Sequence, residues 1–405
     1  MPKNLTLKVS CTVAAPAADA YRAFIHPTAL RDWLCNGALV DAREGGHIQL
    51  RWDDAFYMSG TFRKLEPNKR LAFTWDGYLD PAPTLVTVTF KETPRGTIIT
   101  LARSGFGASR VWAGVRNRFI EQWPELLENL KSLLETGIDL RFARRPRLGI
   151  GFDEFTAETA KKLGVPVNKG ILLTGTAEGT GARAAGLQKD DVLISLNGKK
   201  LENFSSFGPA LAGLKAGDTP KVVFYRGAQK LTRPLKLSSF PIPQAPATGA
   251  ELAAKMRENF KEIEAGLAKW VEGVSEEQAA RRPAENEWSL KELLAHFILT
   301  ERDYQSWVAD MLNDRAVNDD LEMRPNVNER LHAVVSRFPT VAALRAELSA
   351  ASAETANYVE NFPAHFVQRR QHLYRRAALW QLEFTPAHFF EEHAEQLKAT
   401  LEATK

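Results

Sequence analysis

The sequence predicts a multidomain α+β protein in which two sheet-containing modules precede an all-α module. Its 405 residues are two to three times the usual length of one domain. Two composition breaks, a basic one at 137–146 and a proline-rich one at 238–249, are typical of linkers. The hydrophobic period also changes across each break. The predicted modules are therefore 1–138, 145–239 and 248–405.

The overall composition is that of an ordinary globular protein. Hydrophobic residues make up 44% of the chain and charged residues 25%. The formal charge of +4, from 53 basic and 49 acidic residues, is too small to make nucleic acid the expected main partner. One local basic cluster is interpreted as a solvated linker rather than a phosphate contact; it consists of Arg141, Arg144, Arg145 and Arg147.

Cysteine usage and hydropathy predict a cytoplasmic location. The two cysteines, Cys11 and Cys35, form neither a CxxC motif nor a disulfide framework, which fits a reducing compartment. Lys8 interrupts the apolar stretch that a signal peptide would need, and the residues around it alternate as in a strand. No apolar run approaches the roughly 20 residues that cross a bilayer, so no membrane partner is expected.

The first module has the pattern of an antiparallel sheet that closes on one long helix. A first strand at Leu5–Val13 and a short helix after Pro16 come before the other strands. Five further segments alternate apolar and polar residues, at 46–52, 59–65, 70–76, 85–92 and 97–103. A long apolar helical face from Val111 to Leu134 follows. Such a sheet commonly leaves a cavity beneath its helix.

The order of motifs in this module is similar to that of a known superfamily. The segments AAPAADAYRAFIHPTALRDWL, DAREGG, SGTFRKLEPNKRLAFTW and TLVTVTFKETPRGTIITL resemble the SRPBCC superfamily over residues 5–136, in the branch homologous to the activator of the heat-shock-protein-90 ATPase. The resemblance implies a helix-grip (START-like) fold whose cavity takes an apolar small molecule. The candidate lining residues are Trp33, Trp52, Phe62, Phe73 and Trp75. Simple core packing remains an open interpretation for each of them.

The second module is rich in short strands and resembles the PDZ domain. Apolar strands at 147–152, 170–173, 191–196 and 221–226 are separated by turns, including the tight-turn signal Asn197–Gly198. The segment GARAAGLQKDDVLISLNGKKL, with RLGIGF and KGILLT before it, resembles PDZ domains of the bacterial protease-associated type over 145–238. This resemblance implies binding of a protein C-terminus or extended peptide as an added strand.

The resemblance assigns the peptide-binding residues. The carboxylate loop and the following strand would be Leu148, Gly149, Ile150 and Gly151, and the groove-lining helix would contribute Phe207 and Leu211. Leu148, Ile150 and Leu211 could equally be core residues. No Ser/His/Asp protease order accompanies the module, and its glycine loops complete no nucleotide-binding motif.

The third module has a helical period throughout. Four long helices are predicted near 250–270, 288–313, 340–361 and 385–403, which is typical of a four-helix bundle. Ser275 and Ser289 begin capping-box patterns, and Thr385–Pro386 has the pattern of a helix start. The bundle is also the expected surface for a homodimer.

The segments PAENEWSLKELLAHFILTERDYQSW and HFFEEHAEQL resemble the DinB-like family over residues 250–403. The resemblance implies a divalent metal, zinc or nickel, held by one histidine of the second helix and an i, i+4 histidine pair of the last. His296 and His393 match these positions, but the expected partner position holds Phe389.

The neighbouring His388 is predicted to be unsuitable. At about 100° per residue it lies roughly 140° around an α-helix from His393. Replacement donors are sought in His365, His372 and Glu392. A buried, hydrogen-bonded His393 without metal remains open.

Three functions are compatible with these patterns. The leading prediction is a cytoplasmic, stress-related binding or adaptor protein with an apolar ligand cavity and a peptide groove, and without a catalytic residue set. The first alternative is a metal-dependent thiol S-transferase centred on the bundle. The second is a regulator of a chaperone ATPase, which rests on the first resemblance alone.

Overall fold

A computed structural model describes residues 5–53, 55–313, 315 and 326–403 of the chain. The chain divides into two compact units. One unit joins Met1–Gly137 with Pro243–Lys405, and the other is Ile138–Ile242. The first unit therefore combines the first and third predicted modules, and the second unit contains the PDZ-like module.

The N-terminal part of the first unit is a seven-stranded antiparallel sheet in the order β1-β7-β6-β5-β4-β3-β2. Its elements are β1 (Leu5–Val13), α1 (Ala17–Ile25), α2 (Pro27–Trp33), β2 (Gly37–Val40), β3 (His47–Arg51), β4 (Tyr57–Glu66), β5 (Arg70–Gly77), β6 (Thr84–Thr93), β7 (Gly96–Phe106) and α3 (Arg110–Thr136). The predicted sheet and its long helix are confirmed. The short α2 and β2 were not predicted.

Alternation along the strands determines which side of this sheet is buried. In β6, Val86, Val88 and Phe90 are buried, whereas Leu85 between two inward positions is exposed. The long helix α3 adds Phe119 and Trp123 to the same hydrophobic core. The result is one continuous apolar core between the sheet and the helices.

The C-terminal part of the first unit is helical. Its elements are α8 (Gly249–Trp270), α9 (Glu276–Ala280), α10 (Leu290–Leu312), α11 (Val327–Arg337), α12 (Val341–Glu360), α13 (Ala364–Arg369) and a final helical run from Gln371 to Ala403. The four intervening helices belong to the second unit. The predicted caps of α9 and α10 form, since the hydroxyls of Ser275 and Ser289 accept hydrogen bonds from the backbone amides of Gln278 and Glu292. Within the described residues, no helix combines the length and the apolar character needed to cross a membrane.

The final helical run differs from the prediction in where it begins and in how it is wound. It consists of α14 (Gln371–Leu379), a first π turn (Trp380–Phe384), α15 (Thr385–Ala387), a second π turn (His388–Glu392) and α16 (His393–Ala403). The expectation that a helix begins at Thr385–Pro386 is therefore wrong. Thr385 has helical backbone angles, and its amide donates to the carbonyl oxygen of Trp380, five residues earlier. Pro386, which lacks an amide hydrogen, is accommodated inside the run beside this widened turn.

The second unit contains a sheet in the order β13-β12-β10-β9-β8, with β11 paired to β10. Its elements are α4 (Leu140–Ala143), β8 (Ile150–Asp153), α5 (Ala157–Leu163), β9 (Ile171–Thr176), α6 (Gly181–Ala184), β10 (Val192–Leu196), β11 (Lys199–Lys200), a 3₁₀ turn (Phe204–Ser206), α7 (Phe207–Leu211), β12 (Lys221–Arg226) and β13 (Gln229–Pro234). The strand β8 lies at one edge, and among the described residues it pairs only with β9. One backbone edge of β8 is therefore open to another strand.

Candidate metal centre and peptide groove

Three histidines of the helical part of the first unit come together. Nε2 of His388 lies 2.9 Å from Nε2 of His296 and 3.2 Å from Nε2 of His393. The candidate donor atoms of all three lie within 4.8 Å of one another. The two histidines that the sequence proposed are thus joined by a third, and we call this set the three-histidine cluster.

The second π turn explains why His388 belongs to the cluster. The backbone amide of His393 donates to the carbonyl oxygen of His388, an i to i+5 hydrogen bond. This extra residue in the turn places His388 and His393 on the same side of the helix. The prediction that they lie on different faces is therefore wrong, because it assumed an α-helical rotation per residue. Phe389, at the expected partner position, is instead buried and stacked on Trp270, with ring centroids 5.2 Å apart.

Polar side chains hold two of the imidazole rings by their other nitrogen atom. Nδ1 of His388 lies 2.5 Å from a carboxylate oxygen of Glu392, and Nδ1 of His393 lies 2.8 Å from Oε1 of Gln396. Both oxygens are acceptors, so each Nδ1 carries the hydrogen and each Nε2 presents a lone pair. Two lone pairs 3.2 Å apart repel each other unless a cation or a proton lies between them.

Burial favours the neutral form of two rings of the cluster, those of His296 and His393. Burial, with a smaller effect from His393 and His388, lowers the pKa of His296 to about 3. Burial is also the main reason that the pKa of His393 is lowered. The neutral form of imidazole is the form that binds metal ions. Both rings therefore remain available as ligands below their ordinary titration range, and for His296 this extends well below it.

Aromatic rings surround the cluster. The Trp288 ring lies 5.0 Å from the ring of His296, and Phe297 lies 5.4 Å from His393. Phe384, from the first π turn, stacks on His388 with centroids 4.9 Å apart. These apolar walls lower the local dielectric constant and limit the access of water.

The replacement donors proposed from the sequence do not join the cluster. His365 is exposed on α13, and Nε2 of His372 lies 2.8 Å from a carboxylate oxygen of Asp32 in the N-terminal part of the unit. Glu392 is adjacent, but it accepts a hydrogen bond from His388. Its position is that of a residue that orients a ligand.

The five proposed cavity residues of the N-terminal part lie together. Trp33, Phe62, Phe73 and Trp75 are buried, and Trp52 packs against the same core. Several of the rings touch, with centroids 5.8 Å apart for Phe62 and Phe73 and 6.4 Å apart for Trp52 and Trp75. They form one aromatic cluster, and its role as a ligand cavity stays a prediction.

The proposed peptide-binding residues differ in how far they are exposed. Gly149 has a φ of +81°, and a Cβ atom there would lie 2.3 Å from the Thr180 side chain, so this loop requires glycine. Leu148 and Phe207 are largely buried in the core, whereas Ile150 and Leu211 are half-buried and Gly151 is exposed.

Two exposed phenylalanines outside the predicted set lie beside Phe207. Phe152 of β8 and Phe204 of the 3₁₀ turn stack with centroids 4.7 Å apart and an angle of 17° between their planes. Phe207 lies 6.3 Å from Phe152 and 6.1 Å from Phe204. Phe152 could have been predicted from the sequence. Side chains two residues apart on a strand lie on the same face, and Phe152 comes two residues after Ile150. We call these three residues the aromatic trio.

Known protein families match all three modules. The family model described as "Activator of Hsp90 ATPase homolog 1-like protein" matches residues 14–135, the PDZ domain model matches 146–237, and the DinB superfamily model matches 243–397. The three resemblances seen in the sequence are confirmed. The chain is accordingly a mixed α+β protein with an SRPBCC-like sheet and helix, a PDZ-like sheet and a DinB-like helical region.

Particular relatives share only parts of the chain. A probable periplasmic serine endoprotease DegP-like of Bartonella henselae is 27% identical over 111 residues, which are 27% of this chain and 22% of that protein. The periplasmic pH-dependent serine endoprotease DegQ of Escherichia coli is 30% identical over 101 residues, 25% of this chain and 22% of that protein. The chain thus spans less than a quarter of the length of either relative.

Two solved structures are each similar to about a third of the chain. Protein MLL2253 from Mesorhizobium loti is 26% identical with a TM-score of 0.30, covering 32% of this chain and 96% of that one. The Aha1 dimer from Colwellia psychrerythraea is 20% identical with a TM-score of 0.29, covering 33% and 98%.

A buried carboxyl group lies close to the three-histidine cluster. Glu301 of α10 is 5% exposed, and burial raises its pKa to about 7 despite hydrogen bonds from Thr355 and Gln381. An acid whose pKa is higher in the folded state than in the unfolded state favours folding at low pH. The corresponding destabilisation develops as the pH rises from the unfolded pKa of 4.5 to the folded value near 7.

We expect the substitution Glu301→Gln to remove this pH dependence. Relative to the wild type, the variant should gain about 3 kcal/mol in free energy of unfolding between pH 4.5 and pH 8, because the buried side chain no longer ionises. Urea denaturation followed by circular dichroism at both pH values measures the difference. The control is Glu354→Gln, which changes an exposed carboxyl group on α12. Its free energy of unfolding relative to the wild type should be almost the same at pH 4.5 and pH 8. If the free energy of unfolding of Glu301→Gln differed from that of the wild type by the same amount at both pH values, the expectation would be contradicted.

Proposed function

We propose that the helical part of the first unit holds a divalent metal ion at His296, His388 and His393, and that the protein is a metal-dependent enzyme. The observation that carries this proposal is the convergence of three Nε2 atoms from two helices. A tetrahedral ion with metal–nitrogen distances of about 2.0–2.1 Å would need ligand nitrogens roughly 3.3 Å apart. The distances of 2.9 and 3.2 Å lie close to this value, and the donor atoms of His296 and His393 lie within 4.8 Å of each other.

The donor set favours zinc or nickel. Neutral imidazole is a ligand for both ions. With three protein ligands a fourth coordination position stays open, as in catalytic rather than structural sites. When bound, the ion would supply Lewis acidity that lowers the pKa of a thiol at this fourth position. The DinB-like region supports a thiol S-transferase as the reaction class.

The residues of the chain itself would prepare the site. Glu392 and Gln396 hold two rings with Nε2 directed at a common point, so little reorganisation is needed when the ion binds. The rings of Trp288 and Phe384 cover His296 and His388 and would keep competing water away. The three-histidine cluster therefore favours an enzyme over a binding or adaptor protein without a catalytic site.

The substitution His388→Ala should weaken zinc binding at least about 100-fold, since removal of a ligand should cost no less than removal of a residue that orients one. Glu392→Gln should weaken it about 10- to 100-fold for the orienting effect alone. Competition with a chromophoric chelator measures both. The matched control is the exposed His365→Ala, which should bind as the wild type does. Equal zinc affinity in His388→Ala and the wild type would disprove the centre.

We also propose that the PDZ-like module binds an extended chain end in the groove between β8 and α7. The open edge of β8 supports this, because a peptide could continue the sheet through backbone hydrogen bonds. The aromatic trio supports an apolar side chain in the ligand, since Phe152 is 43% exposed and Phe204 62% exposed beside that edge.

The substitution Phe152→Ala should weaken the binding of apolar peptides with a free carboxyl end about 10-fold, because it removes one wall of the groove. Fluorescence polarisation with a labelled peptide measures the change, and an amidated peptide should bind much more weakly. Phe142→Ala is the matched control, since Phe142 is also 43% exposed but packs against Phe240 outside the groove, with the two rings tilted. Equal affinities in the two variants would rule out this groove.

The remaining functions have less support. An apolar small molecule in the N-terminal part is supported by the aromatic cluster around Trp75. The regulation of a chaperone ATPase, a stress-related role and a homodimer through the bundle have only family similarity behind them. A cytoplasmic location is supported by Cys11 and Cys35, which form no disulfide bond with each other; the relatives named above are described as periplasmic.

A further inference from the structure

A small cavity lies beside the three-histidine cluster, between α8, α10, α12 and the final helical run. Its volume is about 20 Å³, which is enough for one water molecule. Most of its lining is apolar, and its polar lining residues are Thr300, Glu301, Ser352, Thr385 and His388. The cavity thus connects the surroundings of Glu301 with one of the proposed metal ligands.

Ser352 provides an independent indication that this cavity takes a polar guest. Its side chain is 7% exposed, and its hydroxyl oxygen has no hydrogen-bond partner among the described residues. Burying a hydroxyl group without a partner is costly. A water molecule in the cavity would satisfy this hydroxyl group and could bridge it to the carboxyl group of Glu301.

The surroundings of Glu301 are polar but contain no paired cation. Nε2 of Gln381, in the first π turn, lies 3.5 Å from a carboxyl oxygen of Glu301, and Thr355 also bonds to it. Within the described part of the chain, no lysine or arginine forms an ion pair with Glu301. Its titratable neighbours are Tyr304 on the same helix and His388 across the cavity.

Charges near the other walls are already neutralised. Arg345 of α12 and Glu264 of α8, the residue after Ile263 in the cavity wall, form an ion pair with each other. Glu301 is therefore a carboxyl group that can exist in both protonation states without breaking a salt bridge. This is the property that a proton acceptor needs.

We propose that Glu301 accepts the proton that a thiol loses on binding at the three-histidine cluster, through a water molecule in the adjacent cavity. This inference rests on the proposed metal centre. In the step, the S–H bond of the thiol breaks and its electron pair stays on sulfur. An O–H bond forms on Glu301, whose carboxylate becomes a neutral acid, and net charge is conserved. Product release would return the proton to solvent.

The test counts the protons that reach the solvent when a thiol binds. Zinc-loaded full-length protein is titrated with 2-mercaptoethanol at pH 8 by calorimetry in two buffers of different ionisation enthalpy. The wild type should release clearly fewer protons per thiol bound than Glu301→Gln, because the negative charge of the bound thiolate raises the pKa of Glu301 above its value of about 7 and keeps part of the proton on its carboxyl group. Glu301→Gln should release close to one. The control Glu354→Gln should behave as the wild type does.

A second arm uses the wild type alone. At pH 5.5 Glu301 is already protonated, so the release should rise to about one proton per thiol. A purely structural role of Glu301 would leave the number of protons the same in all proteins and at both pH values, and that result would overturn the proposal.

The same samples separate this failure from failure of the metal centre. If zinc analysis finds less than one ion per wild-type chain after loading, or if zinc-loaded protein binds no thiol, the proposed function fails and this inference fails with it. If zinc and thiol both bind and the wild type releases one proton at pH 8, only the role of Glu301 is wrong.

Discussion

The candidate chemistry of this protein depends on one backbone hydrogen bond, from the amide of His393 to the carbonyl oxygen of His388. It widens the helix by one residue and separates two adjacent side chains, His388 and Phe389, into different environments. His388 points to the other two histidines, while Phe389 stacks on Trp270 in the core. An α-helical turn would have put Phe389 beside His296 and left His388 on the far side. The core packing of Phe389 thus helps to hold the polar site together.

Most of the fold could be read from the sequence. The strands of the first sheet were predicted to within a few residues, because one face of each strand is buried and the alternation is therefore regular. The four-residue strand β2 was missed because it is too short to show alternation. The side-chain N-caps of α9 and α10 were readable from the sequence, since a cap is a local pattern of side chain and backbone.

The site was harder to predict, because its geometry depends on irregular helix winding and on tertiary packing. His296 and His393 were found by family resemblance, but His388 was excluded by assuming a regular helix. The sequence contained one indication of irregular winding, Pro386 two residues before His388, and the pattern of Thr385–Pro386 was interpreted as a helix start instead. Glu301 carries no motif at all. Its importance follows from burial and from the cavity it shares with Ser352 and His388, and both depend on tertiary packing.

The two-unit division has a consequence for how the chain is connected. Met1–Gly137 and Pro243–Lys405 form one compact body although the whole of Ile138–Ile242 separates them in sequence. In sequence, the PDZ-like segment is therefore an insertion between the two segments that make up the first unit. Loop-closure entropy grows only with the logarithm of length, at about 0.6 kcal/mol per doubling. The first unit can therefore accommodate an inserted segment of this length at a small additional entropic cost.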